Sequence, residues 1–117
     1  MTTTPNNTPD NSDLLDTLKI TQVAKRDAPG AWVTGIIGGH KFEALCFPEP
    51  ASNPDYEIEG SNISKFWLAD ERGNQVASFD RGWDLKPATE IAQRITDLLA
   101  AGLAQSVYAG LEMEKTL

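Results

Sequence analysis

The chain has a single cysteine and a single histidine in 117 residues. Cys46 therefore has no internal disulfide partner, which agrees with a reducing compartment. One Cys and one His fall short of the usual four ligands of a structural zinc site, so neither a metal nor another cofactor is expected. No apolar run approaches the roughly 20 residues that cross a bilayer. The opening MTTTPNNTPDNSD has neither the basic start nor the apolar core of a secretory signal, and the expected location is cytoplasmic. Positive charge is scarce: 10 Lys and Arg stand against 17 Asp and Glu, for a net charge of -7. Lys25-Arg26 is the one adjacent basic pair. Proteins that hold nucleic acid by its phosphates usually carry a basic stripe, so direct nucleic-acid binding is disfavoured.

Catalytic signatures are missing as well. The run Gly35-Ile36-Ile37-Gly38-Gly39 contains neither GxGxxG nor GxxxxGK[ST] and leads into a strand pattern, where a phosphate loop would lead into a helix. No GxSxG element occurs. His40 has no sequence-visible partner and reads as a turn-adjacent, partly solvated residue. The expectation is a protein that is not an enzyme.

What the sequence does hold is a hairpin. Two apolar-rich runs, within Ala31 to Glu49, flank Gly38-Gly39, the composition of a two-residue turn. That turn sets Ile37 opposite His40, Gly35 opposite Phe42, Val33 opposite Ala44 and Ala31 opposite Cys46, all on one face. Gly35 opposite Phe42 reads as a ring laid over bare backbone. A second hairpin is expected from Ile63–Ala69 and Gln75–Asp80 around a turn with Gly73. Gly73 can take the left-handed position of a bulged turn, and in that register Phe66, Leu68 and Val76 share one face, and Trp67, Ala77 and Phe79 the other. Between the hairpins, three prolines rule out a central strand, and Asp55 to Glu59 reads as a short edge strand with Asp55, Glu57 and Glu59 on one side. From about Pro87 to about Tyr108, apolar residues recur at helical spacing, among them Ile91, Ala92, Ile95, Leu99, Leu103 and Val107. Pro87 suits the first helical position, and Gly110 a stop.

These elements predict an α+β domain: a four- to five-stranded antiparallel sheet of two hairpins, with one long C-terminal helix across one face. Residues 1–13 read as a disordered polar tail, 14–110 as the domain and 111–117 as a frayed end. Segment 14–25 reads as a helical turn leading into a strand. One helix covers one face, so Trp32, Ile36, Leu45, Trp67 and Phe79 would line the other. Such a face needs cover from segment 14–25 or from an intermolecular partner.

The stretches GAWVTGIIGGHKFEALCFPE, ISKFWL and FDRGWD, followed by an alanine-rich helix, resemble a group of small proteins of bacterial plasmids, phages and integrated mobile elements. The resemblance covers about residues 30 to 108. The group has no established activity, so no site residues carry over. It implies a mobile-element setting, in which small acidic proteins often inhibit host defence complexes of the CRISPR or restriction type.

The functional expectation is a non-enzymatic protein-binding module with an acidic and aromatic surface, its partner another protein with a basic surface. Asp55, Glu57, Glu59, Trp32, Trp67, Phe79, Arg81 and Trp83 are the expected partner-binding residues, Arg81 and Trp83 because both types favour binding hot spots. The alternative is a structural homodimer pairing through the second sheet face. A ligand pocket between sheet and helix needs convergent polar groups, which the helix stripe lacks.

Overall fold

Gly38 and Gly39 both adopt positive φ, 56° and 76°, as a two-residue turn of the hairpin-favouring hand requires. The strands they join are β2 (Ala31–Ile37) and β3 (His40–Cys46), in the expected register: Ile37 faces His40, Gly35 faces Phe42, and Ala31 faces Cys46. The computed structural model describes residues 11–116. Before this hairpin lie a short helix, α1 (Asn11–Asp16), and a strand, β1 (Lys19–Lys25). After it come a long loop, β4 (Ile63–Ala69), β5 (Gln75–Asp80), β6 (Trp83–Leu85) and the helix α2 (Glu90–Thr116). The six strands form one antiparallel sheet in the order β1-β2-β3-β4-β5-β6. The α+β architecture is as expected. The sheet has six strands where four or five were expected, because segment 19–25 joins as an edge and Trp83–Leu85 adds a short strand at the other side.

Segment 14–25 thus extends the sheet and does not cover its second face. Leu14 of α1 is 1% exposed and packs into the same core as α2. The last residues of the expected tail, 11–13, are helical, and residues 1–10 lie outside the described residues.

A bulge corrects the second hairpin. The pairing of β4 with β5 shifts between Leu68 and Ala69, which sets Phe66 opposite Phe79, Trp67 opposite Ser78 and Leu68 opposite Ala77. An extra residue in one strand exchanges its faces. Phe79 (4% exposed) and Ala77 (0%) therefore join Phe66 and Leu68 in the core, and Trp67 alone of the expected trio faces away. Asp70 fixes the turn: its carboxylate accepts from the backbone N–H groups of Asn74 and Arg72. The Asn74 bond is the largest reason its pKa lies below the ordinary carboxylate range. Gly73 takes the positive φ (87°) that this turn needs.

The helix begins later than Pro87 suggests. Ala88 still donates its N–H to the Val76 carbonyl, and the Thr89 hydroxyl accepts from Ala92 N–H at 3.0 Å. Thr89 is thus the N-cap. The stripe Ala92, Ile95, Leu99 and Leu103 is buried against the sheet. The helix runs through Gly110 to Thr116, past the expected stop and into the segment expected to fray. Among the described residues no helix is long and apolar enough to cross a membrane.

Cys46 closes the core at the end of β3, fully buried. The Tyr108 hydroxyl donates to the Cys46 carbonyl at 3.0 Å and ties α2 to that strand. Burial pushes the thiol up to about 12 and raises the Tyr108 hydroxyl in the same direction. An unfolded thiol ionises near about 8.5. Between about pH 8.5 and 12 the unfolded chain therefore releases a proton that the folded chain keeps, and stability falls as pH rises through that window. Thermal melts between pH 8 and 11 are expected to show a declining midpoint. Iodoacetamide is expected to leave Cys46 unmodified in the native protein and to alkylate it in denaturant.

Candidate functional site

The face opposite α2 is set by alternation along the strands. One cross-strand row holds Ala24, Trp32, Leu45, Lys65 and Asp80; the next holds Gln22, Thr34, Glu43, Trp67, Ser78 and Leu85. Trp32 is half-buried, while Trp67 (38%), Ile36 (36%) and Leu85 (36%) are exposed. Leu45, also on this face, is 2% exposed. The two tryptophans stand two strands and two residues apart, roughly 12 Å in the sheet plane. Around them sit Lys19, Lys41, Lys65, Glu43 and Asp80, with Lys65 Nζ 3.8 Å from Asp80 Oδ1. In a chain of net charge -7, the aromatic face carries more lysines than carboxylates.

The other expected binding residues lie elsewhere. Phe79 is in the core, and Trp83, its cross-strand partner, packs edge-to-face on it at 5.1 Å on the helix side. The expected strand 55–59 is absent: Pro54–Tyr56 is a 3-10 turn capped by Asn53, whose side-chain oxygen accepts from Asp55 N–H at 3.0 Å. A proline after Asn favours this turn over extension. Asp55, Glu57 and Glu59 consequently do not share a face. Asp55 and Glu59 are exposed. Glu57 is 8% exposed, and its carboxylate accepts from Ala51 N–H at 2.7 Å and Asn62 N–H at 3.2 Å, so it organises the loop. Arg81 takes a positive φ of 55° in the β5–β6 turn, donates its backbone N–H to Ser64 and lies over the Tyr56 ring at 5.8 Å. The single acidic and aromatic surface expected from sequence thus separates into an aromatic, lysine-edged sheet face and an acidic loop beyond its end. His40 is 7% exposed, more buried than expected, with Nδ1 donating to the Gly38 carbonyl at 2.9 Å. No group of three or more His, Cys, Asp or Glu suited to hold a metal exists among the described residues.

A family model described as a domain of unknown function (DUF7678) matches residues 31–104. The chain belongs to this family. The matched span starts at the first residue of β2 and ends inside α2, so it contains both open-face tryptophans and the helix stripe. No curated protein and no solved structure matches the chain.

A second surface was not anticipated from sequence. Between β1 and α2 runs an apolar groove of about 820 Å3, with Ile20 and Val23 on the strand side and Leu98, Gly102 and Ser106 on the helix side. Leu15, Ile20 and Val23, all exposed, line it. Its sequence signals are small: an apolar pair three apart in a strand, and Ala101-Gly102 inside the helix stripe.

Proposed function

We propose that this domain is a non-enzymatic protein-binding module whose docking surface is the open sheet face. The observation that carries this reading is the placement of half-buried Trp32 and exposed Ile36 and Trp67 on the face of the sheet that, among the described residues, neither helix covers. Exposed aromatic surface on a rigid sheet suits the core of a protein interface. The lysines and carboxylates around the tryptophans supply a mixed polar rim. The sharper form of the reading, an inhibitor of a bacterial defence complex, is supported by the mobile-element resemblance.

The test is affinity purification from bacterial lysate with the tagged protein and with Trp67→Glu, a change at an exposed position that leaves the core untouched. A partner retained by the parent and lost with Trp67→Glu supports the open face. A partner retained equally by both removes this surface from the interaction. Concentration-dependent dimerisation in sedimentation, abolished by Trp67→Glu, transfers the face to a homodimer.

A further inference from the structure

We propose that the outer edge of β1 and the groove beside it take an extended peptide segment, apolar on alternate residues and carrying an acidic side chain, which adds to the sheet as a seventh strand. Among the described residues, β1 pairs only with β2, so the backbone groups along its outer side have no strand partner. An open edge of seven residues is a template for strand addition. At the other side of the sheet, β6 has three residues.

The groove supplies what bare backbone lacks, namely specificity. The pairing of β1 with β2 shifts between Ile20 and Gln22, leaving Thr21 as the extra residue, with its hydroxyl donating to the Thr34 carbonyl at 3.1 Å. Without that bulge, residues 20 and 23 would point to opposite faces. With it, Ile20 lies opposite Gly35 and Val23 opposite Val33, both on the α2 side, and both line the groove. The facing wall of α2 is cut back at Gly102, where a Cβ would meet no atom within 4 Å. An incoming strand that pairs with β1 directs every second side chain into this space.

Charge selects the occupant. Lys25 is the one charged residue among the described residues that line the groove. An acidic side chain opposite Lys25 forms a favourable cross-strand pair, and β1 itself, KITQVAK, offers none from a second copy. The chain's own opening MTTTPNNTPD has no aliphatic or aromatic residue after Met1 and lacks the apolar side chains that the groove accepts.

The experiment is selection of a random decapeptide display library on the full-length protein, followed by fluorescence polarisation with the enriched peptides. Enrichment of extended sequences with alternate apolar residues and an Asp or Glu is expected. Gly102→Leu fills the groove without meeting another atom at Cβ, and leucine is the better helix former. This variant is expected to melt no lower than the parent and to weaken peptide binding at least about ten-fold, the equivalent of 1.4 kcal/mol. Lys25→Glu is expected to weaken the acidic peptides and spare matched peptides with the acid replaced by Lys. Trp67→Glu is expected to leave peptide binding unchanged, which separates this surface from the open face. No enrichment overturns the proposal. So does enrichment of peptides that bind Gly102→Leu as well as the parent, or a dimer of the parent that Gly102→Leu abolishes.

Discussion

Phe42→Ala is expected to lower the stability of the domain by about 3–5 kcal/mol, the range for removing a fully buried aromatic ring. The ring is 1% exposed and sits in the middle of the core-facing side of β3. Its neighbours cannot readily collapse into the space. Across β2 it faces Gly35, which has no side chain to move, and across β4 it faces Leu68, already fully buried. The cavity therefore stays open, and a site that cannot relax loses the most. At the scale of this domain such a loss lowers Tm by roughly 12–20 °C. The check is a pair of denaturant curves for parent and variant. An unchanged m-value with a lowered midpoint identifies a loss of folded-state packing, whereas a stability loss under about 1 kcal/mol shows that the ring does not hold the sheet to the helix.

The ring's position is legible in the sequence, because a Gly-Gly turn admits few registers and each register assigns every side chain to a face. The second hairpin is not legible in the same way. Its turn, Asp70 to Asn74, admits a bulge, and the shift beside Ala69 moves Phe79 and Ala77 into the core. Nothing in the local composition distinguishes the two registers. The acidic stretch shows another limit. Asp55, Glu57 and Glu59 alternate as a strand would, yet Asn53-Pro54 starts a 3-10 turn, and the loop then takes the Glu57 carboxylate inward for Ala51 and Asn62. Turn chemistry outweighs periodicity there. The open face is half legible. Trp32 and Trp67 are where alternation puts them, while Phe79 and Trp83, equally aromatic, stack on each other on the helix side. The groove is the least legible feature. It depends on a bulge at Thr21 and on the position of one helical glycine relative to an edge strand, and both are relations between distant segments.

Gly35→Val carries the second large effect, and it acts through backbone as well as side chain. A Cβ at Gly35 would lie 2.5 Å from the Lys19 carbonyl oxygen and 2.8 Å from two ring carbons of Phe42. The ring can swing, but the carbonyl belongs to the β1 backbone and cannot do so without moving its strand. The Gly35 φ lies outside the left-handed region, so the cost is steric. Overpacking of this kind costs about 1–3 kcal/mol, occasionally more, and valine, with two further carbons, stands at or above the upper end. The damage is expected to be local as well as global. Because β1 is an edge that, among the described residues, pairs with β2 alone, it is expected to detach first, and hydrogen exchange is expected to lose protection along β1 while β3, β4 and β5 keep theirs. Two obstacles predict a particular coupling. Gly35→Ala combined with Phe42→Leu is expected to be less damaging than the sum of the two single changes, because the smaller side chain frees the ring side of the Cβ. The relief is expected to be incomplete, because the Lys19 carbonyl remains. Strict additivity in that cycle would mean that the ring does not cover Gly35. Full relief would mean that β1 yields freely at Lys19, and that the first turn of the edge strand is held by its side chains and not by the close approach of its backbone.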